Sequence, residues 1–105
     1  MLVDNAQALI RAAAEVLKVD PEDITGKRRK QAEVLARQMV MAIWSDSHSL
    51  QDSSEVVGRS NHTVAHYARR IIYEKLQYCE ATKERMRKIL KKYSEIILAE
   101  EQEKA

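Results

Sequence analysis

Apolar residues recur along this chain at three- and four-residue spacing, in blocks separated by short polar stretches. Residues 5–18 set the pattern. Ala6, Leu9, Ile10, Ala13, Val16 and Leu17 share one face of a 3.6-residue helix, and Asp4 or Asn5 can cap it. Asp20 followed by Pro21 starts a short helical turn through Glu22, Asp23 and Ile24, because proline suits the first helical position; Thr25-Gly26 ends it. The block 30–44 carries Ala32, Val34, Leu35, Met39, Val40, Met41, Ile43 and Trp44 over so wide a face that this helix is expected at the centre of the core. A polar loop follows through Ser45, Asp46, Ser47 and His48. Ser49, with Asp52 three residues on, predicts a short capped helix over 50–57 that stops at Gly58. The next helix begins near Ser60 or Asn61 and turns Val64, Ala65, Ala68, Ile71, Ile72 and Leu76 inward. A break is expected at Cys79-Glu80-Ala81-Thr82, with Thr82 as the N-cap of a last helix over 82–102. Its stripe of Met86, Ile89, Leu90, Tyr93, Ile96 and Ile97 either packs on the core or extends past it as a dimerisation seam. The tail from Glu100 is acidic, a frayed end by expectation.

Composition narrows the fold. Two Gly and one Pro in 105 residues leave little material for the turns a sheet requires. The expected class is all-α with one modest core, filled without any Phe. The division expected is a helical domain over 1–81 and an amphipathic C-terminal helix with an acidic tail over 82–105. No apolar window is long enough to cross a membrane, and the first residues lack the basic start of a secretory signal. The single Cys79 fits a reducing cytoplasm. Gly26 and Gly58 are too few for a phosphate-cradling nucleotide loop. His62 and His66 share a helix face but lack a third ligand nearby, and no Ser/His/Asp arrangement is legible. No catalysis, cofactor, metal or nucleotide is therefore expected.

Charge changes the picture further. The net charge of +2 hides an uneven distribution. Residues 1–25 hold two basic and five acidic side chains, residues 26–70 eight and four, and residues 71–105 eight and seven. The basic middle contains the run Lys27, Arg28, Arg29, Lys30. It also contains the stretch 49–71, a short capped helix, a glycine turn and a second helix opening on small polar residues. That is the helix-turn-helix pattern. The second helix of such a pair lies in the major groove, and Ser60, Asn61, His62 and Thr63 are short donors and acceptors at its start. A basic patch beside it is the electrostatic footprint expected for a phosphate backbone.

These residues, taken in order, resemble a known family. Lys27-Arg28-Arg29 after a short Glu-Asp-Ile helix, then Ala36-Arg37-Gln38-Met39-Val40-Met41-Ala42, His48-Ser49-Leu50, Gly58-Arg59, Thr63-Val64, His66 and Arg69-Arg70-Ile71 are similar to the C-terminal DNA-binding domain of the bacterial replication initiator DnaA, over roughly residues 5–92. The resemblance implies a Trp-repressor-like helical bundle containing a helix-turn-helix, here with an extended C-terminal helix. It implies that Arg29 enters the minor groove. It gives Arg37, Gln38, the Leu50 amide, Thr63, His66 and Arg70 to the phosphate backbone, joined by the basic Lys27, Arg28, Arg59 and Arg69. Ser60, Asn61 and His62 fall at the base-reading positions, with Thr63 beside them.

The chain also departs from the family. The family's reading helix usually begins Asp-His-Thr-Thr-Val, whereas here it is Ser60-Asn61-His62-Thr63-Val64; another alignment sets His62 on the family histidine with one residue missing after it. Gln51 stands for a proline, Ser53-Ser54 for an Ile-Gly pair, and the loop at Ser45–Ser47 is shorter. The function expected is double-stranded DNA binding, sequence-specific, in regulation of transcription or replication at the bacterial nucleoid. The competing expectation is a helical protein-interaction module or homodimer using the C-terminal helix. Met1 and the segment beyond the match are what a stand-alone chain would show.

Overall fold

The structure is a computed structural model that describes residues 5–27 and 29–104. Its elements are α1 (Ala6–Leu17), α2 (Pro21–Thr25), α3 (Gln31–Trp44), α4 (Leu50–Val56), α5 (His62–Leu76) and α6 (Glu80–Lys104), with no strand among the described residues. Local chemistry accounts for most of the boundaries. The Asn5 side chain accepts from the Ala8 amide, Asp20 from Glu22, Ser49 from Asp52 and Asn61 from Thr63, each satisfying an amide that the first helical turn leaves without an internal partner. Pro21 sits in the first turn of α2. Lys18 closes α1 in the left-handed conformation at φ 58°, and the Val19 amide returns to the Ala14 carbonyl.

α3 is the central helix, as its wide apolar face predicts. It packs against α1, α2, α4 and α5, and Ala36, Met39, Val40, Met41 and Ala42 on it are buried. α6 lies along α1. Ile89 and Ile97 are buried there, while Met86, Tyr93 and Ile96 pack partly buried around them. Most of the stripe read as either core or dimer seam is thus buried within the chain, while Leu90 stays 42% exposed. Each fully buried Ile or Leu contributes about 1.5–3 kcal/mol. Polar contacts bolt the same pair. Asn5 donates its amide to the Tyr93 hydroxyl and its side-chain N–H to Glu100; Arg11 also pairs with Glu100, and Lys92 with Glu15 at 3.2 Å.

Two sequence expectations shift. α6 starts at Glu80, two residues before the expected N-cap. Thr82 is a buried residue of the first turn. Cys79 takes the capping position, its carbonyl accepting from the Lys83 amide at 3.1 Å, and interaction with Thr82 holds the thiol below its ordinary range. A cysteine is not a usual cap, which is why a reading tuned to Ser, Thr, Asp and Asn misses it. Val64, expected to face inward, is 36% exposed, because the first turn of α5 projects beyond the helices it packs on.

Candidate nucleic-acid interface

α4, the turn 57–61 and α5 form the helix-turn-helix, and small residues hold its junction. Ser53 and Ser54 are fully buried. The Ser53 hydroxyl donates back to the Ser49 carbonyl at 2.8 Å. The Ser54 hydroxyl donates to the Asn61 carbonyl at 2.9 Å and accepts from the Ala65 amide at 3.2 Å. One hydroxyl therefore joins the end of the first helix to the start of the second. These serines stand where the family carries an Ile-Gly pair, so polar side chains occupy a buried contact. Burial with matched partners resolves this, since a buried hydroxyl is tolerated when it is hydrogen-bonded. Gln51, at the family's proline position, donates to the Ser60 carbonyl at 2.9 Å and so ties α4 to the turn. Gly58 takes φ +77°, and a Cβ there would lie 2.8 Å from the Thr25 carbonyl oxygen. Glycine is required on both counts.

The four residues at the α5 start, Ser60, Asn61, His62 and Thr63, are all exposed. Their side chains are not equally available. The Asn61 side-chain Oδ1 already accepts from the Thr63 amide at 3.0 Å and the Thr63 hydroxyl at 2.8 Å. Its side-chain N–H groups remain for an outside acceptor, so a two-pronged contact to adenine would require the cap to open.

Among the basic positions, Arg37 differs most from its expected backbone role. It is 6% exposed. Its Nε donates to the Ile24 carbonyl at 2.7 Å, and its Nη2 to the Asp23 and Gly26 carbonyls at 2.9 and 3.2 Å. The guanidinium closes the C-terminal end of α2, and burial followed by the nearby Arg59 charge pushes its pKa down. Nε and Nη2 of Arg37, expected at the phosphate backbone, thus brace the end of α2, while the residue also lines the cleft beside α5. Arg59 is similar: half-buried, it reaches the Gly26 carbonyl at 2.8 Å and the Val57 carbonyl at 3.1 Å. Arg69 meets the Ser45 hydroxyl at 2.7 Å and Asp46 at 2.8 Å, and lies over the Tyr73 ring at 4.6 Å. Asp46 also accepts from the Tyr73 hydroxyl, and burial with that hydrogen bond raises the Tyr73 pKa. Lys27, Arg29, His66 and Arg70 are exposed, Arg70 with Glu74 at 3.4 Å. Leu50 opens α4, where the amides lack intrahelical partners. Arg28 lies outside the described residues.

α5 presents two flanks. On one, His66, Arg69, Arg70 and Tyr73 line a shallow depression. On the other, Thr63, Val64 and Tyr67 face Arg29, Gln38 and Arg59 across a cleft of about 660 Å³. Arg29, Arg37 and Arg59 line this cleft and no acidic side chain among the described residues does, so its rim carries positive charge in excess. Tyr67 was not singled out from the sequence. Its signal was position: it stands four residues after Thr63 on the same helix face.

Such a pairing of helices, with an exposed polar start to the second and a basic loop beside it, defines a helix-turn-helix domain of the DNA-binding class. The family described as the bacterial DnaA protein helix-turn-helix matches residues 6–72. The chromosomal replication initiator protein DnaA of Kosmotoga olearia is 36% identical over 77 residues, which cover 71% of this chain and 17% of that protein. The chain belongs to the family of bacterial DnaA helix-turn-helix domains.

Proposed function

We propose that this chain binds double-stranded DNA with sequence preference and thereby regulates replication or transcription at the bacterial nucleoid, in the cytoplasm. One observation carries the reading: Thr63 and Tyr67 of α5 share with Arg29, Arg37 and Arg59 a cleft that no acidic side chain among the described residues lines, next to the exposed Ser60, Asn61 and His62. That spacing suits a helix in a major groove and an arginine in the neighbouring minor groove. Ser60, His62, Thr63 and the Asn61 amide N–H groups read base edges. Lys27, Arg28, Gln38, the Leu50 amide, His66 and Arg70 meet phosphates, while Arg37, Arg59 and Arg69 hold the geometry.

Selection of bound sequences from random duplex DNA tests this. An enriched motif is expected. His62→Ala then relaxes preference at one position by about 1–3 kcal/mol. Arg29→Ala weakens binding to all sequences and reduces the salt slope by about 0.9. Binding without enrichment would remove the sequence preference; no binding to any duplex at moderate salt would reject the reading. A second reading, a homodimer through the outer face of α6, draws on Leu90 and Leu98, which are 42% and 51% exposed. A monomer by light scattering at working concentration removes it.

A further inference from the structure

The cleft between α5 and the basic loop has a consequence for how a duplex would lie, and it rests on the DNA-binding reading above. A helix inserted in a major groove has one DNA strand along each flank. If Arg29 occupies the adjoining minor groove, the strand separating the two grooves must cross the space between α5 and the loop. That space is the cleft lined by Arg29, Gln38, Arg59, Thr63, Val64 and Tyr67. Tyr67 is the largest exposed side chain there, at 60%, and its hydroxyl has no hydrogen-bond partner among the described residues. A tyrosine combines an apolar ring with a donor at its tip, which matches a sugar–phosphate unit: deoxyribose carbons for the ring, an anionic oxygen for the hydroxyl. The excess positive charge at the rim of the cleft favours an anion at that spot.

We infer that Tyr67 is a DNA-contacting residue that seats the sugar–phosphate strand between the two grooves, donating its hydroxyl to one phosphate of that strand. The contact adds no charge. It strengthens binding without adding to counterion release, unlike the arginines around it.

The test uses the full chain and a duplex from the selection, with methylphosphonate placed at one backbone position at a time. Wild-type protein should lose about tenfold in affinity at one position on that strand, the size of a hydrogen bond to a charged group. Tyr67→Phe should lose a similar factor on the unmodified duplex and nothing more at that position, with its salt slope unchanged. Tyr67→Ala should lose more, since the ring contact goes as well. Tyr67 is exposed, so both variants should melt with the wild type. If both bind as wild type does, or if the Phe penalty is the same at every modified phosphate, the inference fails while DNA binding stands. Absence of wild-type binding to any duplex overturns the binding reading, and this inference with it.

Discussion

The α1–α6 pair and the α4–α5 pair are joined by different chemistry. α6 brings the buried Ile89 and Ile97 to α1, whose buried face is Leu9, Ile10 and four alanines, with polar bolts at the edge. At the α4–α5 junction Ser53, Ser54 and Ala65 are buried and small, and the Ser54 hydroxyl bonds the Asn61 backbone carbonyl and the Ala65 amide. The first interface is held by apolar area, which is non-directional. The second is held by hydroxyl-to-backbone hydrogen bonds, which fix both the distance and the angle of the reading helix. An interface that must set an angle uses directional bonds; one that must only stay shut uses area.

This contrast can be broken or sharpened by substitution. Ile89→Ala should cost about 2–5 kcal/mol in urea unfolding, the largest effect, yet leave the duplex affinity of the folded fraction unaltered. A matching loss of affinity would show that α6 helps to set the reading helix. Gly58→Ala comes next, near the top of the ~1–3 kcal/mol range for a side chain in left-handed backbone, because the new Cβ also meets the Thr25 carbonyl oxygen. Here duplex affinity should fall along with stability. Ser54→Ala removes the hydroxyl with little change of volume and leaves the Asn61 backbone carbonyl without its donor, at a cost of about 1–3 kcal/mol. The contrast predicts that its affinity loss, measured well below the melting temperature, exceeds that of Ile89→Ala even though its stability loss is smaller. Arg11→Ala should change unfolding by no more than ~0–1 kcal/mol, since the Arg11–Glu100 pair is exposed to solvent; a larger change would mean that the edge bolts matter as much as the area.

The aliphatic half of the fold was legible in the sequence because apolar burial is non-directional. Apolar spacing marks a helix face without specifying its partner's register, and it found the central α3; the caps at Asp20 and Ser49 were legible from residue type. Gly58 was legible because a left-handed turn leaves few choices of residue. Ser53 and Ser54 were not, because a serine in isolation reads as surface, and its buried partners lie up to eleven residues away. The arginines divided in the same way. Charge located Arg29, Arg37, Arg59, Arg69 and Arg70 in the basic middle segment, but charge cannot distinguish Arg29, which is exposed, from Arg37, which is turned inward onto carbonyls. Only the path of the backbone after α2 makes that distinction. The start of α6 was misread because a cysteine takes the capping position there.

The Gly26 carbonyl oxygen receives both Arg37, from the middle of α3, and Arg59, from the turn before α5. One acceptor thus ties the origin of the basic loop to the root of the reading helix. Mechanically the shared acceptor makes the two the jaws of one calliper. On the proposed DNA reading, a gauge of this kind would favour a groove-to-groove spacing that fits, whatever the bases between.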